Sequence, residues 1–336
     1  MKAAFLYGVG DLRIIDIEEP APGPNDILVR IRACGVCPTD VSAWVEGPHV
    51  PETSYPRPLG HEWAGDVVKV GKDVKNFREG MRIIGTGGTG FASYCCVSEI
   101  SLLTSRGVVV IPDNVSYEEA TFSEPLADCL HAVVDQCQVK IGDYIAIIGA
   151  GSMGLLQMMV TKNFGATPIM IELLKSRIEF VKDLGAEFVI DPREEDIVER
   201  IKEITNGEGV HSAIVTIGNS LAINQTFKIV RAGGRIILFG GAPLGTILEL
   251  DPNIIHYSEI CLTGSSGVGY WYGLSGIQKG TPIKRNMKLY QVALNLIAEG
   301  RIPVSKLITH RFSLDDILKA FEVIRDKKGI KAIIFP

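Results

Sequence analysis

The chain has 336 residues, of which 46% are hydrophobic and 22% charged, with a net charge of −5 and a pI near 5.8. That length is enough for two well-buried domains, and the absence of a basic stripe argues against a nucleic-acid partner. No apolar run reaches the roughly 18 residues of a membrane span, and "MKAAFLYGVGDLRI" has no apolar segment ending in a small-residue cleavage site. A cytoplasmic location is therefore expected. The seven cysteines, at 34, 37, 95, 96, 129, 137 and 261, are expected to be reduced there.

In chain order, residues 1 to about 115 read as β-rich. "ILVRIRACGV" and "WAGDVVKVG" are short β-branched runs bounded by Pro and Gly clusters such as "EEPAPGPND". A short helix is predicted over 116–122, with Ser116 as N-cap and Glu119 at the capping-box spacing. From about 125 strand and helix alternate. "YIAIIGAG", "TPIMIE", "EFVID", "HSAIVTIG", "RIILFGG" and "YSEICLTGSS" read as strands. "SMGLLQMMVTKNFGA", "LLKSRIEFVKDLGA", "REEDIVERIKEITNG" and "SLAINQTFKIVRAGG" read as helices. Apolar strands alternating with helices describe a parallel sheet covered on both faces. After about 266 the alternation stops. "GVGYWYGLSGIQKGTPIKRN" reads as an aromatic loop, followed by two amphipathic helices and the closing strand "IKAIIFP".

"IIGAGSMG" supplies Gly149-x-Gly151-x-x-Gly154, with Ser152 and Met153 inside the turn. The motif follows an apolar strand and opens a helix, and Glu172 ends the next strand 21 residues after Gly151. That is the context of a dinucleotide-binding turn. Gly149 would make the tight turn, Gly151 would admit a pyrophosphate, and Gly154 would let the helix pack on the strand. Glu172 would accept the adenosine ribose hydroxyls and repel a 2′-phosphate, favouring NAD over NADP. Lys175 and Arg177 lie nearby and could soften that repulsion, but as helix residues they read more simply as solvated. Zinc takes thiolate, imidazole and carboxylate ligands, and the candidates are Cys37, His61, Glu62, Cys95, Cys96 and Glu124. Their sequence separations do not select among them.

These residues resemble a known family. "GHEWAGDVVKVGKDV", with Gly60-His61-Glu62, Gly65, Gly71 and Val74, is similar to the signature of zinc-dependent medium-chain alcohol dehydrogenases. "ACGVCPTDV" resembles that family's zinc-cysteine segment. "SEPLADCLHA" resembles its sorbitol and threonine dehydrogenase branch, where Glu-Pro stands in place of another branch's cysteine ligand. The motif order covers essentially the whole chain.

The resemblance implies an α/β protein with a GroES-like β-rich catalytic domain over 1–124, a Rossmann doubly wound parallel-sheet domain over 125–265, and a return to the catalytic domain over 266–336. The active site would lie in the cleft between them. Cys37 and His61 would be zinc ligands, with Glu124 as the third, directly or through water. Glu62 would sit beside the zinc as an exchangeable ligand, and Asp40 would support His61. Thr39 would pass the substrate proton outward. The family's outer relay histidine is missing from "TDVSAW", which leaves that place to Ser42 or water. Lys331 would reach the coenzyme pyrophosphate.

The four-cysteine lobe of many relatives is missing, so one zinc per chain and no structural zinc are expected. Cys95 and Cys96 then revert to strand residues, and the Cys34–Cys37 spacing is incidental. The implied activity is oxidation of a secondary alcohol (a polyol, a sugar-like alcohol or a hydroxy amino acid) to a ketone, with NAD accepting hydride. A homodimer or homotetramer with a small-molecule substrate is expected. Trp44, His49, Tyr55, Trp271 and Tyr272 are candidates to line the substrate site or to pack at a domain interface. The alternatives are a zinc-free NADPH-dependent medium-chain reductase and a non-catalytic nucleotide-binding protein.

Overall fold

The computed structural model describes residues 1–47, 54–86, 89–105, 109–243, 245–267, 270–272, 282–284 and 288–336. The chain divides into two compact units, Met1–Ala127 with Val268–Pro336, and Asp128–Gly267.

The first unit is built on strands. β1 (Lys2–Gly8) and β2 (Asp11–Asp16) form a hairpin, and β1 also pairs with the two-residue β4 (Arg57–Pro58). The main sheet carries β3 (Asp26–Gly35), β5 (Glu62–Val70), β6 (Arg82–Gly85) and β7 (Tyr94–Ser98). It is completed by the late strands β16 (Ile308–Ser313) and β17 (Lys331–Phe335), in the order β16-β17-β3-β5-β6 with β7 also on β3. The C-terminal strand thus pairs with β3, at Ile333–Gly35 and Ile334–Cys34. On β3 the inward positions Ile27, Val29, Ile31 and Ala33 are at most 2% exposed, while Arg30 and Arg32 face solvent. This is the period-2 alternation of a half-buried strand.

Helix α1 (Pro38–Val45) follows β3 after two residues, with Pro38 in its first turn, where a missing N–H costs no hydrogen bond. Trp44 on α1 is buried against Phe321 of α11 (Ile317–Arg325), edge to face at 5.9 Å, with the Arg325 guanidinium over its ring. Trp44 therefore packs within its own unit, which removes it from the substrate-lining candidates. The Ser116–Glu119 capping box forms as expected and starts α3 (Tyr117–Ala120).

The second unit is a six-stranded parallel sheet. It comprises β8 (Tyr144–Ile148), β9 (Thr167–Ile171), β10 (Phe188–Ile190), β11 (Val210–Val215), β12 (Val230–Leu238) and β13 (Cys261–Gly264). The order is β10-β9-β8-β11-β12-β13 and every pair is parallel. Counted within the unit this is 3-2-1-4-5-6, the doubly wound order whose direction reverses between β8 and β11. The connecting helices include α5 (Ser152–Asn163), α6 (Lys175–Asp183), α7 (Ile197–Ile204) and α8 (Ser220–Thr226).

Three boundaries differ from expectation. The helix in "SLAINQTFKIVRAGG" stops at Thr226, and "VRAGG" already belongs to β12. Gly233 takes φ +70°, and pairing with β11 overrides the local helical pattern. "REEDIVERIKEITNG" becomes helical only at Ile197, where the Asp196 side chain caps the N–H groups of Val198 and Glu199. Within "YSEICLTGSS", Tyr257 and Ser258 end helix α9 (Pro252–Ser258), and the strand waits until Cys261. The aromatic loop also holds two short paired strands, β14 (Tyr270–Tyr272) and β15 (Pro282–Lys284).

Candidate active site

In the first unit the chain brings Cys37, His61 and Glu62 together, although 24 residues separate the cysteine from the histidine. One ligand atom from each lies within 4.8 Å of the other two. Cys37 is the N-cap residue of α1, His61 directly precedes β5, and Glu62 opens that strand. Adjacent residues at a strand start point to opposite sides. His61 is accordingly half-exposed, while Glu62 is 1% exposed.

Backbone supports this arrangement. Gly60 takes φ +89°, which L side chains rarely adopt, and a Cβ there would press on the Phe91 amide nitrogen at 2.7 Å. Asp40, buried on α1, faces His61 Nδ1 at 3.3 Å and accepts the Gly60 N–H at 3.4 Å. It thereby orients the imidazole, as carboxylates do behind metal-binding histidines.

Burial pulls the His61 pKa down. Asp40 and Cys37 outweigh it, so the imidazole sits well above its ordinary value. Burial raises the Cys37 thiol. Metal binding has to displace these protons. A sulfur, an imidazole and a carboxylate are the donor types zinc takes, and these residues fit that ion. Thr39 is exposed, with its hydroxyl 3.5 Å from Cys37 Sγ, and Ser42 lies one turn further along α1. Glu124, in the first turn of α4 (Ser123–Leu130), is half-buried and close enough to Lys331 to raise that ammonium's pKa.

Lys331 is the main departure. Its ammonium is 1% exposed and forms an ion pair with Glu62, rather than standing open to a pyrophosphate. An ammonium at that depth needs a counter-charge. Burial lowers its pKa, but Glu62, Cys37 and Glu124 together outweigh burial and leave it raised. Gly35 makes room for the pair. It sits opposite Glu62 in the β3–β5 ladder, and a Cβ there would collide with the Glu62 carboxylate and with Lys331 Cε at 2.8 Å. Nothing in "ACGVC" signals that role, because the contact joins residues 35, 62 and 331.

Cys95 and Cys96 lie on β7, and all seven cysteines are free thiols. Cys34 is fully buried in the core. His49 falls outside the described residues, as do the side chains of Trp271 and Tyr272, while Tyr55 is 37% exposed.

The second unit carries the glycine turn. Gly149 has φ +101°, and a Cβ there would meet Thr216 Oγ1 at 2.5 Å. Gly151 is the N-cap of α5, and a Cβ there would find only Arg177 Nη1 within 4 Å, at 3.7 Å. A Cβ on Gly154 would strike the Gly149 carbonyl. The three glycines thus do separate work: a left-handed turn, an open approach, and helix-on-strand packing. Ser152 is buried and Met153 half-buried in the first turn of α5.

Glu172 follows β9 and is 7% exposed. Arg177 is half-buried rather than solvated, and burial lowers its pKa while Glu172 opposes the shift. Arg193, paired with Asp191, also feels the Glu172 charge. The cradle, the helix N-terminus and the acid suit a dinucleotide.

Residues 23–119 match the alcohol dehydrogenase GroES-like domain model, and residues 152–276 match the zinc-binding dehydrogenase model. The chain is 29% identical to (R,R)-butanediol dehydrogenase of Bacillus subtilis strain 168, over 100% of both chains. It is 29% identical to the sorbitol dehydrogenase of the same strain, over 100% of this chain and 97% of that one. Among solved structures it resembles a protein of Sinorhizobium meliloti 1021 assigned as a zinc-binding dehydrogenase and bound to NADP. That likeness has a TM-score of 0.84 and 27% identity, over 100% of this chain and 99% of that one.

Proposed function

The chain belongs to the zinc-dependent medium-chain alcohol dehydrogenase family, and from that premise we propose that it oxidises a secondary alcohol of the polyol class to a ketone, with one zinc and NAD. Membership makes it an oxidoreductase acting on CH–OH groups. The observation that carries the zinc assignment is the convergence of Cys37, His61 and Glu62 donor atoms within 4.8 Å.

Cys37, His61 and Glu124 would hold the metal, with Glu62 at its side. A thiolate, a neutral imidazole and a carboxylate together cancel the ion's two positive charges. When bound, zinc supplies Lewis-acid polarisation of an alcohol oxygen. The chain's own residues do the rest. Asp40 fixes the His61 ring. Thr39 Oγ1 receives the substrate hydroxyl proton and releases it toward solvent, with Ser42 one turn on as the next acceptor. Gly149, Gly151, Ser152, Met153 and Gly154 would seat the pyrophosphate on backbone N–H groups.

Glu172 supports NAD, because its charge would face a 2′-phosphate. Arg177 and Arg193 flank it, and a relative binds NADP, so coenzyme choice belongs in the test. The relatives' names, butanediol and sorbitol dehydrogenase, support a vicinal diol or polyol. We further assign a cytoplasmic location and a homodimer or homotetramer. Seven unpaired cysteines accord with a reducing compartment, and no helix among the described residues is long and apolar enough to cross a membrane.

The test is metal analysis of the purified protein, followed by a panel of diols and polyols with NAD or NADP, read as reduced coenzyme. Near-stoichiometric zinc and turnover of a polyol are expected. A zinc-free protein that reduces activated double bonds with NADPH would overturn the reading. So would bound zinc and nucleotide with no turnover of any alcohol.

A further inference from the structure

We propose that Glu172 is a positioning residue for the phosphate-binding turn as well as a ribose acceptor, so that replacing it loosens the turn instead of converting the enzyme to NADP. The inference rests on the reading that this turn holds the coenzyme pyrophosphate.

Three backbone N–H groups converge on the Glu172 carboxylate. Oε1 accepts Leu173 N–H and Leu174 N–H, both at 2.8 Å, and Oε2 accepts Ala150 N–H at 2.7 Å. The first two bonds are local and shape the entry to α6, whose N-cap residue, Leu174, has no side-chain cap of its own. The third spans 22 positions and ends in the middle of Gly149-Ala150-Gly151.

It continues a ladder. β8 and β9 run in register up to Ile148–Ile171, and the next amide, Gly149 N–H, bonds the Ile171 carbonyl at 2.8 Å. Beyond that point the chain of β8 turns at φ +101°. Backbone pairing cannot follow, and the Glu172 side chain takes the place of the next carbonyl. Ala150 is fully buried, so its N–H would otherwise be held away from water, a costly state for a backbone donor. The bond fixes the peptide between the two glycines that shape the cradle. Glutamate has the reach for this. Aspartate keeps the charge and can serve the adjacent N–H groups of Leu173 and Leu174, but it is one methylene short of Ala150.

The test compares wild type with Glu172→Asp and Glu172→Gln. Amide hydrogen exchange across residues 147–155 reads the turn without any ligand, and calorimetric binding of adenosine and of ADP separates ribose from phosphate recognition. In Glu172→Asp, exchange in the turn should rise about tenfold or more, the scale of one charge-assisted hydrogen bond. ADP should lose about tenfold more affinity than adenosine, and NADP should not become the preferred coenzyme. If Glu172→Asp fails to fold, Glu172→Gln carries the same exchange test, since one amide oxygen cannot serve both sides.

Unchanged exchange together with equal losses for adenosine and ADP would overturn the proposal, and so would NADP becoming the preferred coenzyme of either variant. ADP carrying a 2′-phosphate, binding wild type more tightly than ADP, would instead overturn the NAD assignment. The exchange result would still decide the positioning role.

Discussion

The metal candidates of the first unit and the nucleotide turn of the second are built in opposite ways. The turn is made of backbone. Its glycines lie within six consecutive positions: Gly149 is required by its backbone angle, Gly154 by a close approach, and Gly151 leaves the cradle open. The metal candidates are side chains from β5, α1 and the segments around them, held by Asp40 behind the histidine and Lys331 against Glu62. A backbone site depends on a few residues having no side chain. A side-chain site depends on pairings between distant strands.

Separate units should fail separately, and the largest effect should come from Cys37→Ser. Zinc content should fall to near zero and alcohol oxidation by more than about a hundredfold, while calorimetric ADP binding stays within about twofold of wild type. Loss of ADP binding as well would collapse the distinction between the sites.

Gly154→Ala is the converse test. The added methyl strikes the Gly149 carbonyl, and overpacking of that kind costs about 1–3 kcal/mol. A thermal melt should register the loss and coenzyme KM should rise, while metal analysis still finds the zinc.

Asp40→Asn keeps the size and removes the charge behind His61. Zinc affinity measured by chelator competition should drop about 10–100-fold, less than on losing a ligand outright. An unchanged affinity would mean that Asp40 holds only the Gly60 backbone.

The smallest effect is electrostatic and lies at the start of β8, the end opposite the glycine turn. His211 Nδ1 accepts the Tyr144 N–H at 3.0 Å, and Nε2 faces Asp143 at 3.2 Å. Burial lowers its pKa and Asp143 only partly opposes this. Below the ordinary histidine value of about 6.5 the unfolded chain therefore binds a proton that the folded chain resists. Stability should decline as pH falls through that value, and His211→Gln should flatten the slope in denaturant titrations. A steeper slope in the variant would contradict this sign.

The legibility of each region follows from its construction. "YIAIIGAGSMG" could be read because strand, turn and helix are contiguous and local rules govern all three. The β12 boundary was misjudged because "KIVRAGG" has helical spacing yet pairs with β11. For Trp44 the sequence leaves substrate lining and interface packing both open, and only packing against Phe321, 277 positions away, shows where its ring is used.

His61 and Glu62 show the same division. Their adjacency at a strand start already dictates opposite faces, since side chains alternate along a strand. What the buried acid pairs with depended on Gly35 and Lys331 arriving from β3 and β17. The sequence by itself determined the fold class and the contiguous strand, glycine turn and helix, because periodicity and glycine angles are local properties. Tertiary structure alone decided that Lys331 neutralises Glu62 and that Glu172 reaches back to Ala150. Those charges and N–H groups find their partners only after distant strands have paired, and burial then leaves them no water as an alternative.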